Sequence, residues 1–142
     1  MDLSNTEREH FDELCFYTLA HNDRRFIHQH VVDAFTAQHA EPQTKSIAVA
    51  FALIGLYLHI EKGYSGRQVQ LAHMQLAKRR KQWPQFLLPM AKAKVSVTDV
   101  LAAPAGPERD QAIDHWCRSV WRSWKASHAQ VEKLVDETLW PK

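Results

Sequence analysis

Glycine is scarce in this chain of 142 residues. Four glycines leave little material for a phosphate-cradling loop, and no G-x-S-x-G, P-loop or dinucleotide fingerprint occurs. Two cysteines, Cys15 and Cys117, lack C-x-x-C spacing, which excludes a zinc ribbon and a redox pair. Each sits among apolar residues, as a reduced core thiol of a cytoplasmic protein does. Charge of one sign is also missing. Lys and Arg total 18 against 16 Asp and Glu, so a net +2 gives no bulk field to hold nucleic acid or an anionic membrane. No apolar run reaches the roughly 20 residues that cross a bilayer; Ile47 to Ile60 is the longest approach to one. The opening "MDLSNTEREHFDEL" is acidic and has no apolar h-region, so no signal peptide is expected. Membrane and nucleic-acid partners are both disfavoured on these grounds.

Apolar and aromatic residues are plentiful. An apolar share of 45%, with five Trp and six Phe, reads as globular. A chain of this length buries roughly 68–70% of the surface its unfolded form exposes, enough for one domain over 1–142. The nine histidines are the unusual number.

The punctuation and periodicity predict an all-α fold, a single-domain bundle of about five helices around an apolar central helix. A first helix covers about Thr6 to Ala20, and Asn22 or Asp23 is placed to cap the second. The third runs from near Thr44, is apolar almost all round, and closes at Gly63 as a left-handed cap. Ser65 and Gln68 have capping-box spacing for a fourth, which "WP" at Trp83 ends. Beyond an irregular segment, with a short piece of strand conceivable at "KVSV" and a short helix capped by Thr98, Pro107 opens a long last helix. Ser127 and Gln130 in "SHAQ" offer a break in it.

The second helix, "FIHQHVVDAFTAQHA", carries three histidines. At 100° per residue His28, Val32, Phe35 and His39 share a face, while His30 points the other way with Asp33 and Ala37, as a solvated pair would. His28 and His39 stand about 16 Å apart along the axis, so one metal ion cannot take both. Across helices, His28, His39, His73 and His128 fall on or beside apolar stripes. Glu61 ends the central helix against its dipole, where a cationic or metal partner is expected. Helical bundles build ligand and metal sites from such facing side chains. A single histidine on an apolar stripe is more often a core residue with satisfied nitrogens, and no H-E-x-x-H is present. "KRRK" at Lys78 to Lys81 is explained by a helix C-terminus alone.

The pattern His28, Val32, Phe35, Gln38, His39, followed by Leu58, Glu61 and Gly63, resembles a bacterial family, domain of unknown function 5946. The resemblance covers the first half of the chain and implies a helical fold with His28, Gln38, His39 and Glu61 as residues of interest. It also implies an N-terminal C-x-x-C-G element, which this sequence lacks, so no zinc role carries over from it.

Two readings follow. The first is a cytoplasmic binding protein for a small ligand or a divalent metal, its pocket lined by His28, Gln38, His39, Glu61, His73 and His128. The second is an interaction module that forms a homodimer through Trp116, Trp121 and Trp124 of the last helix, with one indole left exposed within a single chain. An enzyme, by metal-assisted hydrolysis or proton transfer through histidine, ranks third.

Overall fold

Three residues reverse the chain between its third and fourth helices. Gly63 takes φ 72°, its N–H bonds to the His59 carbonyl, and the Tyr64 N–H reaches back to Leu58. A left-handed residue that closes a helix this way costs glycine nothing sterically. Ser65 then accepts from the Gln68 N–H while the Gln68 side chain accepts from the Ser65 N–H, the expected capping box.

A computed structural model describes residues 5–20 and 23–140. It is all helical, and no strand occurs among the described residues, at "KVSV" or elsewhere. The helices are α1 (Asn5–Ala20), α2 (His28–Gln38), α3 (Ser46–Lys62), α4 (Gly66–Arg79), α5 (Val97–Ala102), α6 (Pro107–Ser123) and α7 (His128–Thr138). Seven α-helices among the described residues replace the expected five because the short helix counts as α5 and the last helix is split. The break falls where "SHAQ" places it, through a 3₁₀ turn at Lys125–Ser127, but no Ser127 side-chain cap forms. Two further details differ. Ser96, not Thr98, caps α5, through a box with Asp99. α4 ends at Arg79, ahead of Trp83, and Trp83 packs edge-on to Phe51.

α2 packs against α1, α3, α4 and α6, while α3 packs against α2, α4, α6 and α7. Leu14, Val31, Leu53, Ile54, Leu56, Leu76, Trp116, Val120 and Val131 are fully enclosed in one apolar core. Trp116, Trp121 and Trp124 are all buried within the chain, so the indole expected to be exposed is not. The indoles also close off α2. Trp124 Nε1 donates to the Ala37 carbonyl (3.3 Å) and Trp116 Nε1 to Gln38 Oε1 (2.9 Å), at the helix end where backbone carbonyls lack partners.

The link between α1 and α2 is tightly built where it is described; Asn22 lies outside the described residues. Asp23 caps no helix. Its carboxylate accepts instead from the Arg25 and Ile27 N–H groups within the turn. Phe26 sits at φ 55°, a conformation that costs a bulky residue of order 1–3 kcal/mol unless its surroundings impose it. The surroundings are the start of α4. Arg67 N–H bonds to the Arg25 carbonyl, the Arg67 guanidinium lies over the Phe26 ring, and Gly66 comes so close to the Phe26 carbonyl that a Cβ there would overlap it.

No helix among the described residues is long and apolar enough to cross a membrane.

Candidate functional site

His30 occupies the inner side of α2, opposite to expectation. It is 5% exposed, and Asp33 (3%) is buried with it. The His30 imidazole stacks on His59 of α3, with ring centroids 3.6 Å apart and planes 19° from parallel. His59 is held at both nitrogens: Nδ1 contacts the Tyr64 carbonyl (3.1 Å) and Nε2 contacts Asp114 Oδ1 of α6 (3.1 Å). Both neighbours are acceptors, so the two contacts are hydrogen bonds together only in an imidazolium, which donates from each nitrogen. Arg118 Nε closes the chain on Asp114 Oδ2 at 2.8 Å.

His30, His59 and Asp114 line a cavity of about 500 Å³ between α1, α2, α3 and α6, together with Tyr17, Arg25 and Asp110. That volume lies within the usual range for small-ligand pockets. The strained Phe26 turn contributes Asp23, Arg25 and Ile27 to its wall. On the far side Tyr17 donates from its hydroxyl to Asp110 (2.9 Å) and accepts from the Gly106 N–H (3.0 Å).

The electrostatics follow from burial. His30 is pushed down to about 3, first by desolvation and then by the neighbouring His59, so it is a neutral imidazole near pH 7. Its Nδ1 is buried with no hydrogen-bond partner among the described residues. Burial works to raise Asp114, but the Arg118 hydrogen bond and charge, with His59, outweigh it and hold the carboxyl below its ordinary range. Asp33 is raised well above the usual carboxylate value because it is fully enclosed. Gln29 donates to its Oδ1 (3.1 Å), and Oδ2 has no partner among the described residues. A neutral imidazole stacked on a carboxylate-linked one offers hydrogen-bond donors and acceptors to a ligand within a walled space.

The six residues singled out from sequence do not share one pocket. His28 pairs through Nδ1 with Thr18 Oγ1 (2.9 Å). His73 stacks on Phe51 and donates from Nε2 to its carbonyl (2.9 Å). Gln38 is a fully used buried amide. Its Nε2 donates to the carbonyls of Ala93 and Val95 and its Oε1 accepts from Trp116. His39 ends α2 against Phe35, with Nε2 3.7 Å from Glu7 Oε2, and borders a surface depression that Gln38 also lines. Glu61 and His128 meet in another depression beside Trp121. Trp121 Nε1 donates to Glu61, in place of the expected cation, and the His128 ring lies on the indole at 3.7 Å. No group of three or more His, Cys, Asp or Glu among the described residues is placed to hold a metal ion.

The structure thus defines an all-helical protein with a histidine-walled cavity at the junction of four helices. The chain belongs to the family described as "Family of unknown function (DUF5946)", whose model matches residues 4–125. The match reaches through α6 and therefore takes in Asp114 and every other residue of the cavity wall. No curated protein and no solved structure matches the chain.

Proposed function

We propose that this protein binds a small polar ligand in the cavity between α1, α2, α3 and α6, with His30, the His59–Asp114 pair and Arg25 as the recognising groups. One observation carries the reading: a neutral, almost fully buried imidazole stacked on a second imidazole at a cavity wall, with one nitrogen unpartnered among the described residues. Leaving a buried polar atom unsatisfied costs about 1–3 kcal/mol, a cost that packing alone gives no reason to carry. Strain at the Phe26 turn and perturbed ionisation at His30 fall at the same cavity wall, as they do at functional sites.

An organic ligand is favoured over a divalent metal, since the described side chains assemble no ligand set. A homodimer through the last helix has less to rest on, because its indoles are already buried within the chain. A reducing compartment such as the cytoplasm suits the two free cysteines.

The test is a thermal-shift screen of small carboxylates, amines, phosphates and nucleobases against the wild type, His59→Gln and Asp114→Asn. A ligand at this site raises the wild-type Tm by several degrees and leaves both variants unmoved. Ligands that shift all three proteins equally bind elsewhere, and that result defeats the proposal.

A further inference from the structure

The net charge of +2 conceals a strong segregation. Eight of the 18 Lys and Arg lie between Lys62 and Thr98, a stretch with no Asp or Glu, and the other ten share the remaining chain with all 16 acidic residues. α4 lies in this basic stretch. Its inner side, Val69, Ala72 and Leu76, is buried against α2 and α3. At 100° per residue Arg67, Leu71, Met74 and Lys78 fall within a sector of about 60° on the opposite side. All four are exposed, Leu71 at 54% and Met74 at 56%. A helix face that alternates cations with large apolar side chains is not an ordinary solvated face, which carries both signs of charge and few such residues.

The patch continues beyond the helix. Leu71 borders a shallow depression with Trp140, an indole 41% exposed, and Lys62 Nζ lies 5.8 Å from the centre of that indole ring. Further along the same acid-free stretch, Phe86 is buried as an anchor while Leu87 and Met90 stand almost wholly in solvent.

We propose that the outer face of α4, with Trp140, docks on an anionic phospholipid surface. Leu71, Met74 and Trp140 enter the headgroup boundary, and Lys62, Arg67 and Lys78 lie against lipid phosphates. The contact is peripheral and needs no spanning helix. The chemistry favours a bilayer over a nucleic acid, whose phosphates reward the cations and gain nothing from exposed Leu and Met. Amphipathic helices that lie in an interface combine these two residue classes, with an aromatic residue at the headgroup level. Basic residues near an anionic leaflet add about a fivefold gain in binding each, the equivalent of ~1 kcal/mol.

Co-sedimentation of the full chain with phosphatidylcholine vesicles, with and without phosphatidylserine, tests this. Binding is expected to the anionic vesicles only, and to weaken as salt is raised. Lys62→Gln with Lys78→Gln should weaken it by roughly 25-fold if the two contributions add. Leu71→Ser with Met74→Ser should weaken it with little change in Tm, because both side chains are already exposed. Absence of binding to anionic vesicles overturns the proposal, as does binding that the Leu71 and Met74 changes leave intact. A dimeric mass in solution that Leu71→Glu returns to monomer also overturns it, and assigns the face to a second copy of the chain. Duplex DNA binding in place of vesicle binding overturns it too.

Discussion

At the residue scale, the least ordinary groups are titratable side chains that burial moves away from their ordinary pKa. Burial holds His28, His30, His39 and His73 below the ordinary histidine value. A base lowered in the fold stabilises fully above its unfolded value near 6.5, and that stability is lost as pH falls, for His30 down to about 3. Asp114, lowered despite burial by Arg118 and His59, adds to the same acid-side loss at lower pH. Asp33 works the other way. Its raised carboxyl stabilises the fold below its unfolded value, and this contribution fades as pH rises through the folded one. Urea midpoints should therefore fall between neutral pH and about 4, with His30 contributing on the order of a few kcal/mol. His30→Gln should flatten this slope measurably, and an unchanged slope would place the acid sensitivity elsewhere. Asp33 also explains Gly55, because a Cβ on Gly55 would overlap the Asp33 carboxylate. Gly55→Ala should cost about 1–3 kcal/mol, as overpacking does. Adding Asp33→Ala removes the clash, so the pair should lose less than the two single changes summed, read by denaturant titration.

At the element scale, α2 separates what the sequence discloses from what it withholds. Local rules made some boundaries legible: the left-handed end of α3 at Gly63, the Ser65–Gln68 box and Pro107 at the start of α6. The break before α7 falls at its expected place without the Ser127 cap, and the Ser96–Asp99 box of α5 went unread. The face of α2 was not. A helical wheel assigns one side to the core, but α2 is packed by four other helices, so His30, Asp33 and Ala37 are as buried as Val31 and Phe35. A signal was present, since α2 contains no Lys, Arg or Glu and its supposed outer face carries small alanines. A face without long charged side chains points to close approach by another helix. The pairing of His30 with His59 and Asp114 joins three helices, and no spacing within one helix predicts it. The turn that forms part of the cavity wall depends on another close approach, Gly66 against the Phe26 carbonyl. Backbone cannot give way as a flexible side chain does. Gly66→Ala should therefore destabilise the protein by 2 kcal/mol or more, on the order of the larger overpacking penalties. Ser65→Ala, which removes only the cap, should cost about 1 kcal/mol. Equal losses from the two would mean that the approach of α4 to the turn is not tight.

At the scale of the whole molecule, Cys117 reports whether the helices around the cavity open separately or together. It is fully enclosed on α6, with Sγ 3.6 Å from the His30 carbonyl, and burial pushes its thiol far above the ordinary value. Cys15 on α1 is only partly covered, and burial, with Asp12 beside it, raises its thiol to about 11. Both are poor nucleophiles in the fold for the same reason, but they differ in what must move to expose them. A thiol reagent should modify Cys15 slowly, at a rate that responds weakly to denaturant. Cys117 should react only through an opening that breaks the α2–α6 contact behind His30. Trp116 and Trp124 pin that contact to the end of α2, so this opening should coincide with global unfolding. Its labelling rate should then rise with urea along the slope of equilibrium unfolding. A ligand held at His30 and His59 should slow Cys117 by the factor 1 + [L]/Kd while leaving Cys15 almost unchanged. Labelling of Cys117 that ignores denaturant would show that α6 leaves the cavity wall without unfolding the rest, and the cavity would then be a mobile one.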